Sequence, residues 1–527
     1  MPLQLRASKW TAPPSRREFT LLLCAFTIFI ISYNLNSSLN IIGLAPGASL
    51  KKLGLGSDPG LDPDGRRPES FRDDAENLIF GDWDWVEGQV AGVPAGSQKE
   101  KATVQRQKQF HHIPPNVNSQ KVEWAEKHPR SVLVKHTPGY TIIDSLMLFN
   151  GTLYIVTDQQ GRWPSLDSIS AMVPFEEDQY KNDLKFISRE DAIRLIPPLA
   201  GRIDGVTFLS LDELENQDSH TVISLWRTYS SLDTEITPDG ATTLNFPSRI
   251  AYPRVPYFTD PQPERHGDGS DELILRTRSE PGLPHSLQKS LLPSTGIMYH
   301  HDWSDLHESE VPYVLERVVI ADYHAATRAS SQDKLPYWSA PFKDLEGSKN
   351  WWEPLRSALL RVIHVVEKSD EVVVTYVSRQ DVESGPTLKP EDHNVLVNEL
   401  EKLARDTKCT VQIVSHSAPW QEKLSAMLRS TVVLGVYGDH LFESIYMRRA
   451  SRSTVVEFWP AGTFARDVEL PATSTGLNYI AWWSDKKHSD SSLPPIIRPA
   501  DASTFRQSVL IDARAIIQSV REVISSR

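Results

Sequence analysis

The chain has 527 residues, of which 39% are hydrophobic and 24% are charged, a composition typical of a mostly globular protein long enough for two or three domains. Its formal net charge is −12. A chain without a basic excess cannot neutralise many phosphates, which excludes a general nucleic-acid-binding protein and means that an acidic substrate needs a local basic site.

The N-terminal 40 residues contain a targeting segment. Four basic residues precede the apolar run "FTLLLCAFTIFIISY", and no charge lies between Glu18 and Lys51. A cleaved signal peptide and a signal anchor both fit this pattern, and the long basic leader favours the anchor. We predict a cytoplasmic tail over residues 1–18 and a transmembrane signal anchor over residues 19–40, which places the rest of the chain in the lumen of the secretory pathway.

Residues 41–130 are rich in Pro, Gly and charge, as in "GLGSDPGLDPDGRRPES", and predict a flexible stem. Its "DWDW" stretch, Asp82 to Trp85, has the Asp-x-Asp spacing of metal-dependent sugar transferases, but no predicted strand precedes it. A second polar stretch, "HHDWSDLHE" at residues 300–308, has metal-binding residue types without zinc-site spacing and predicts a solvated loop. We therefore predict no metal site.

Residues 131–365 form the first predicted domain. It begins with the short β-rich runs of "SVLVKHTPGYTIIDSLMLFNGTLYIVT" and ends with a helix in "WWEPLRSALLRVIHVV". Asn150 lies in the sequon "NGT" at a turn between two of these strands, and we predict that it is glycosylated. Because the only cysteines are Cys24 and Cys409, the lumenal part has no intramolecular disulfide.

Residues 366–527 form the second predicted domain. Strands in "DEVVVTYVS", "CTVQIVS", "TVVLGV" and "STVVEFW" alternate with helices in "PEDHNVLVNELEKLARDT", "PWQEKLSAMLRS" and "HLFESIYM". This alternation predicts a doubly wound parallel sheet, which binds its ligands beyond the carboxyl ends of the strands.

Arg379 follows the first of these strands. Its guanidinium can reach a phosphate from there, or it can pair with Asp381 or Glu383. Glu457 interrupts the last strand, where a buried carboxylate needs a partner. That partner is either a ribose diol or an arginine, Arg449 or Arg452, a few residues earlier.

The third strand ends in "GVYGDHL". Gly435 and Gly438 permit positive φ and let backbone N–H groups approach an anion at the following helix. Asp439 can equally be the N-cap of that helix, which needs no ligand. His440 can donate to a ligand oxygen or act as an acid or base near neutral pH.

Together these segments resemble glycosyltransferase family 61, in its fungal branch. The resemblance rests on "LMLFNGTLYIVT", "LWRTYSSLD", "VTYVSRQ" with "EDHNVLVNEL", and "VVLGVYGDHLFESIYM" with "STVVEFWP". It implies a GT-B-like α/β fold of two Rossmann-type domains, with the acceptor side in the first and nucleotide-sugar binding in the second. It also implies an inverting transfer in the Golgi or ER from a nucleotide sugar, a UDP-linked xylose or N-acetylglucosamine, to a glycan or glycoprotein. No metal or other cofactor is expected.

The resemblance also assigns roles to single residues. Arg379 contacts the donor diphosphate and Glu457 the nucleotide, while the donor loop contains Gly435, Tyr437 and Gly438. Inverting transfer needs a base to deprotonate the acceptor hydroxyl. The candidates for it are Asp439, His440 and His220, in that order.

Two positions of the donor loop differ from the family pattern. The family usually has His where this chain has Tyr437, and Gly where it has His440. The alternative function is therefore a catalytically inactive lumenal protein on the same fold that binds a glycan or a partner.

Overall fold

The computed structural model describes residues 16–17, 19–27, 121–123, 130–171, 184–197, 199–259, 277–365, 371–498 and 506–525. The chain divides into two compact units, Met1–Val104 and Gln105–Arg527. In the first unit, the described residues are helical. Among all described residues, no helix is long and apolar enough to span a bilayer. Residues 28–40 of the predicted anchor, most of the predicted stem and its "DWDW" stretch lie outside the described residues.

The strands described in the second unit belong to three sheets. In chain order they are β1 (Lys121–Glu123), β2 (Val132–Thr137), β3 (Tyr140–Phe149), β4 (Thr152–Val156), β5 (Leu184–Ile187), β6 (Leu199–Ser210), β7 (Arg249–Ala251), β8 (Gly296–Met298), β9 (Tyr313–Ala321), β10 (Val373–Ser378), β11 (Gly385–Leu388), β12 (Thr410–Ser415), β13 (Val432–Val436), β14 (Thr454–Trp459), β15 (Asn478–Trp483), β16 (Lys486–Ser489) and β17 (Arg506–Val509).

Helices alternate with these strands. The α-helices are α1 (Leu166–Ile169), α2 (Arg189–Leu195), α3 (Ser219–Ser230), α4 (His285–Leu291), α5 (His300–Glu308), α6 (Tyr323–Ser330), α7 (Ala340–Asp344), α8 (Glu353–Val362), α9 (Pro390–Thr407), α10 (Trp420–Arg429), α11 (Glu469–Ser474) and α12 (Ala513–Ser525). The 3₁₀ helices are Gln160–Arg162, Leu214–Asn216, Ser331–Asp333, Tyr337–Ser339, Asp439–Tyr446 and Asp490–Ser492.

The first sheet is mixed. Its strand order is β5-β4-β3-β9-β6-β7-β8, with β1 on β6 and β2 on β3. Strands β9, β6, β7 and β8 run parallel to one another, whereas β2, β3 and β4 form an antiparallel meander. The turn from β3 to β4 consists of Asn150 and Gly151, both at positive φ (45° and 72°). Such a two-residue turn makes a hairpin, so these strands cannot be parallel.

The second sheet has the order β12-β10-β13-β14-β15-β16. The first five strands are parallel and β16 is antiparallel. In chain order the parallel strands therefore run 2-1-3-4-5, the arrangement of a doubly wound, Rossmann-like sheet. The four strands predicted in this half, β10, β12, β13 and β14, are confirmed, while β15, β16 and the two-stranded sheet of β11 and β17 were not predicted.

Helix α9 shows why the elements of residues 366–527 can be predicted from the sequence. Pro390 occupies its first turn, and Leu396, Leu400 and Leu403 form a fully buried stripe. The helix ends at Thr407, and the next residue, Lys408, adopts a left-handed conformation with φ 55°. Helical spacing of the leucines fixes the buried face, and the proline fixes the start.

Two predicted segments differ from expectation. "HHDWSDLHE" is helix α5 rather than a loop, because Tyr299 and Asp302 cap its start and Trp303 is buried beneath it. "HLFESIYM" is a 3₁₀ helix rather than an α-helix. There Leu441 packs so closely on β13 that a Cβ at Gly435 would lie 2.8 Å from its side chain, and the tighter 3₁₀ winding suits this short connection.

Helix α8 connects the first sheet to the helices around the second. Its Arg356, only 3% exposed, donates to the carbonyl oxygens of Tyr446 (2.9 Å) and Leu428 (3.2 Å) and pairs with Glu353. A buried guanidinium is tolerated when its N–H groups are satisfied in this way. Arg356 therefore anchors the C-terminal end of the 3₁₀ helix that follows β13.

Candidate functional site

The candidate site lies at the carboxyl edge of the second sheet, beyond β12, β10 and β13. The ends of these strands are level, since Ser378 pairs with Ser415 and Val377 with Gly435. The chain crosses from β10 to β12 on one side and continues to β13 on the other. This reversal is the topological switch point, where open α/β sheets bind their ligands.

Arg379 is the first residue after β10. Its Nε donates to the carbonyl oxygen of Pro386 (3.1 Å) and its Nη2 to that of Ser384 (3.4 Å), so the loop before and within β11 holds the half-buried guanidinium in place. Nη1 lies 3.2 Å from Nε2 of His416. The guanidinium is therefore oriented by backbone oxygens and by an imidazole.

Asp381, one of the two carboxylates predicted to pair with Arg379, turns toward hydroxyl groups instead. It accepts hydrogen bonds from Ser415 and Ser417. These hydrogen bonds lower the pKa of Asp381 to about 2, so it is ionised at neutral pH. Its charge is stabilised without a direct bond to the arginine.

His416 was missed in the sequence analysis. It follows β12 just as Arg379 follows β10, and this placement after the run "CTVQIVS" was the available signal. Burial, with the charges of Arg379 and Lys423, lowers the pKa of His416, so the ring is neutral at neutral pH.

The loop after β13 brings His440 against His416. Gly438 has φ 137°, and a Cβ on it would lie 3.2 Å from Nδ1 of His440. The two imidazoles meet edge to face with centroids 5.3 Å apart. Both ring nitrogens of His440 are buried and find no hydrogen-bond partner in the described part of the chain, and burial holds the pKa of His440 well below the usual value. Asp439, which lies between Gly438 and His440 in the sequence, is exposed.

Tyr437, at the start of this loop, packs against an aromatic neighbour. It is 8% exposed, and its ring stacks on Trp459 with centroids 4.7 Å apart and planes 14° apart. Burial raises the pKa of its hydroxyl. Tyr437, one of the two positions that differ from the family the sequence resembles, is thus packed into the base of the loop.

Glu457 supports the loop from below. It is 1% exposed, its Oε1 accepts the Gly438 N–H (3.2 Å), and its Oε2 accepts the hydroxyl of Tyr479. Burial raises its pKa to about 8, so the carboxyl is mostly protonated at neutral pH. Of the arginines predicted as partners, Arg449 instead donates to Asn350 (2.7 Å). Both oxygens of Glu457 are thus engaged within the protein.

His220 reaches the same neighbourhood from the first half of the unit. At the start of α3, its ring stacks on Trp338 (4.6 Å) and meets the edge of Phe442 (4.2 Å), which belongs to the 3₁₀ helix beginning at Asp439. Its Nδ1 lies 3.1 Å from Oδ2 of Asp218. The fold therefore joins a residue of the predicted acceptor side to the predicted donor loop.

Asp467 connects these groups electrostatically. Burial raises its pKa, the charge of Asp439 adds to that rise, and the bidentate pair with Arg498 (2.8 Å for both bonds) and the nearby His220 oppose it. Asp439 and His220 thus act on the same carboxyl group, which places them in one electrostatic neighbourhood.

Comparison of the chain with protein-family models and with curated proteins gives no match.

Proposed function

We propose that this protein is an inverting glycosyltransferase of the GT-B type, which transfers a sugar from a nucleotide-sugar donor to a glycan or glycoprotein. A UDP-linked xylose or N-acetylglucosamine is the proposed donor. The observation that carries the proposal is the meeting of Arg379, His416 and the loop Gly438–His440 at the switch point of a Rossmann-like sheet.

The charges around this edge suit a diphosphate. Arg379 and Lys423 both act on the ring of His440, so two cations lie near the loop. A planar guanidinium held by backbone oxygens is preorganised to stabilise the negative charge that develops on a departing diphosphate. Glu457, through Gly438, keeps the loop in the conformation that faces it.

The acceptor reaction needs a base. In the proposed step the acceptor hydroxyl oxygen attacks the anomeric carbon, the bond from that carbon to the diphosphate oxygen breaks, and the base takes the hydroxyl proton. The nucleoside diphosphate departs with the bonding electrons. We assign the base to Asp439, because it is exposed at the mouth of the loop, whereas the nitrogens of His440 are buried. His220 is oriented by Asp218 and is the next candidate.

The proposal includes a location. The basic leader and apolar run favour a single-pass type II protein of the Golgi or ER membrane with a lumenal catalytic part. The exposed position of Asn150 in the β3–β4 hairpin supports it, since a sequon must be accessible to be modified.

One observation favours a second function, a non-catalytic lumenal protein that binds a glycan or a partner. His440 fills the loop at the position where the family has glycine, and Glu457 uses both oxygens inside the fold. A donor site closed in this way would retain the fold without turnover.

Donor binding tests the two functions. We expect saturable calorimetric binding of a UDP-sugar by the full chain, unaffected by EDTA, and turnover on a glycan or glycoprotein acceptor. Arg379→Ala should weaken binding about tenfold or more, since a hydrogen bond to a charged group contributes about 1.5–3 kcal/mol. Arg514→Ala, whose side chain is 82% exposed on α12, is the control and should bind normally.

The possible results distinguish a transferase from a non-catalytic binding protein. A folded protein that binds no nucleotide sugar rejects the transferase. Donor binding without turnover on any acceptor favours the non-catalytic protein. Unchanged affinity in Arg379→Ala removes Arg379 from the site.

A further inference from the structure

Three ring nitrogens at the switch point have no hydrogen-bond partner among the residues that the structure describes. They are Nδ1 of His416 and both nitrogens of His440, and all three are buried. Buried polar atoms in folded proteins are nearly always bonded, because leaving one unpaired costs its full desolvation penalty. Three in adjacent rings indicate that something outside the chain completes this cluster.

The contact with Arg379 decides which nitrogen of His416 carries the hydrogen. A guanidinium has only donors, so at 3.2 Å from Nη1 the Nε2 atom of His416 must accept. The ring is neutral, since burial and the neighbouring charges lower its pKa. A neutral imidazole that accepts at Nε2 carries its hydrogen at Nδ1. His416 Nδ1–H is therefore a buried donor for which the described residues supply no acceptor.

The surrounding charges indicate which acceptor is missing. The cations near His416 are Arg379 and Lys423, and the acid acting on it is Asp381. Asp381 is engaged by two serine hydroxyls, and Lys423 lies 3.8 Å from Glu443, whose pKa burial raises. A donor beside two cations, with Asp381 and Glu443 engaged elsewhere, matches an anionic oxygen of a ligand.

We propose that the Nδ1–H of His416 donates to a diphosphate oxygen of the nucleotide donor, beside the guanidinium of Arg379. This inference rests on the proposed function. It makes His416 a substrate-binding residue, whose neutral ring adds a directed hydrogen bond where Arg379 adds charge. The ring of His440 lies against that of His416, so the loop Gly438–His440 borders the proposed diphosphate contact.

A pair of substitutions separates the two ring nitrogens. His416→Asn puts an amide N–H near the position of Nδ1, whereas His416→Gln puts its amide near Nε2, the side that faces Arg379. Calorimetry on the full chain would compare UDP, inorganic pyrophosphate and uridine as probes, with thermal melting to verify folding. His301→Asn, at an exposed histidine of α5, is the matched control.

The wild-type protein and His301→Asn should bind UDP and pyrophosphate equally well. His416→Gln should weaken both about tenfold, with uridine binding unchanged, and His416→Asn should stay within about threefold of the wild type. If both variants fold and bind UDP like the wild type, His416 does not contact the diphosphate and the inference is wrong, while the transferase stands. If the wild type binds pyrophosphate through His416 but no nucleotide or nucleotide sugar, the transferase fails and the anion contact stands. Binding of no probe rejects both.

Discussion

The contact of Glu457 with the loop after β13 can be tested by measuring the free energy of unfolding at different pH values. The Glu457 carboxyl is buried in β14 and joins Gly438 to Tyr479. The substitution Glu457→Gln keeps the size of the side chain and one acceptor oxygen, but it removes the ionisable group. We expect this variant to be more stable than the wild type at neutral and alkaline pH.

The magnitude follows from the raised pKa. Burial raises the pKa of Glu457 to about 8 in the folded protein, against its ordinary value of 4.5 in the unfolded chain. Between these values the folded state binds more protons than the unfolded state, so wild-type stability falls as pH rises. Each pKa unit corresponds to 1.36 kcal/mol, which gives a loss of about 3 kcal/mol at pH 7 and at most about 5 kcal/mol above pH 8. The variant lacks this loss.

Urea unfolding at half-unit steps from pH 5 to pH 9 measures the effect. The informative quantity is the difference in free energy of unfolding between Glu457→Gln and the wild type, because the other titrating groups cancel. The difference should be smallest at pH 5, rise by about 1.4 kcal/mol per pH unit, and level off above pH 8. A difference that does not change with pH would refute the assignment of Glu457 as a buried, largely protonated acid.

Two further predictions concern the loop after β13 and the cellular location of the protein. Gly438→Ala should destabilise the protein by about 1–3 kcal/mol in urea, because φ is 137° and the new Cβ would lie 3.2 Å from His440. Gly161→Ala, with nothing within 4 Å of the new Cβ, should be near neutral, and equal losses in both variants would contradict a specific strain at Gly438. In a eukaryotic secretory host, Asn150→Gln should lose the mass of one N-glycan relative to the wild type on a denaturing gel. A wild-type band unaltered by glycosidase would argue against the lumenal location.

Much of the second half could be predicted from local patterns. The apolar β-branched runs around Val374, Leu434 and Val456 are buried on both faces of the sheet, and such runs predict parallel strands. Because parallel strands end at a common edge, the sequence also predicted that the residues after them gather there. Arg379 and the Gly438–His440 loop do so.

Other features had no local signal. The pairing of β11 with β17 joins segments more than 100 residues apart, and the sequence of neither strand indicates which strand it pairs with. The sequence analysis offered a ribose diol or an arginine as the partner of Glu457. In the structure its carboxyl accepts from Gly438 and from Tyr479 on β15, the next strand, and the register of β14 on β15 decides the second contact.

The sequence by itself determined the order of β10, β12, β13 and β14 with the helical segments between them, the buried faces set by residue spacing, and the polar residues that follow β10 and β13. Those depend on interactions within a few residues, such as helical leucine spacing and strand propensity. Only the tertiary structure decided which polar residues meet. It brought His416 to Arg379, buried the nitrogens of His440, and turned Glu457 inward, because burial and hydrogen-bond partners come from segments distant in the chain.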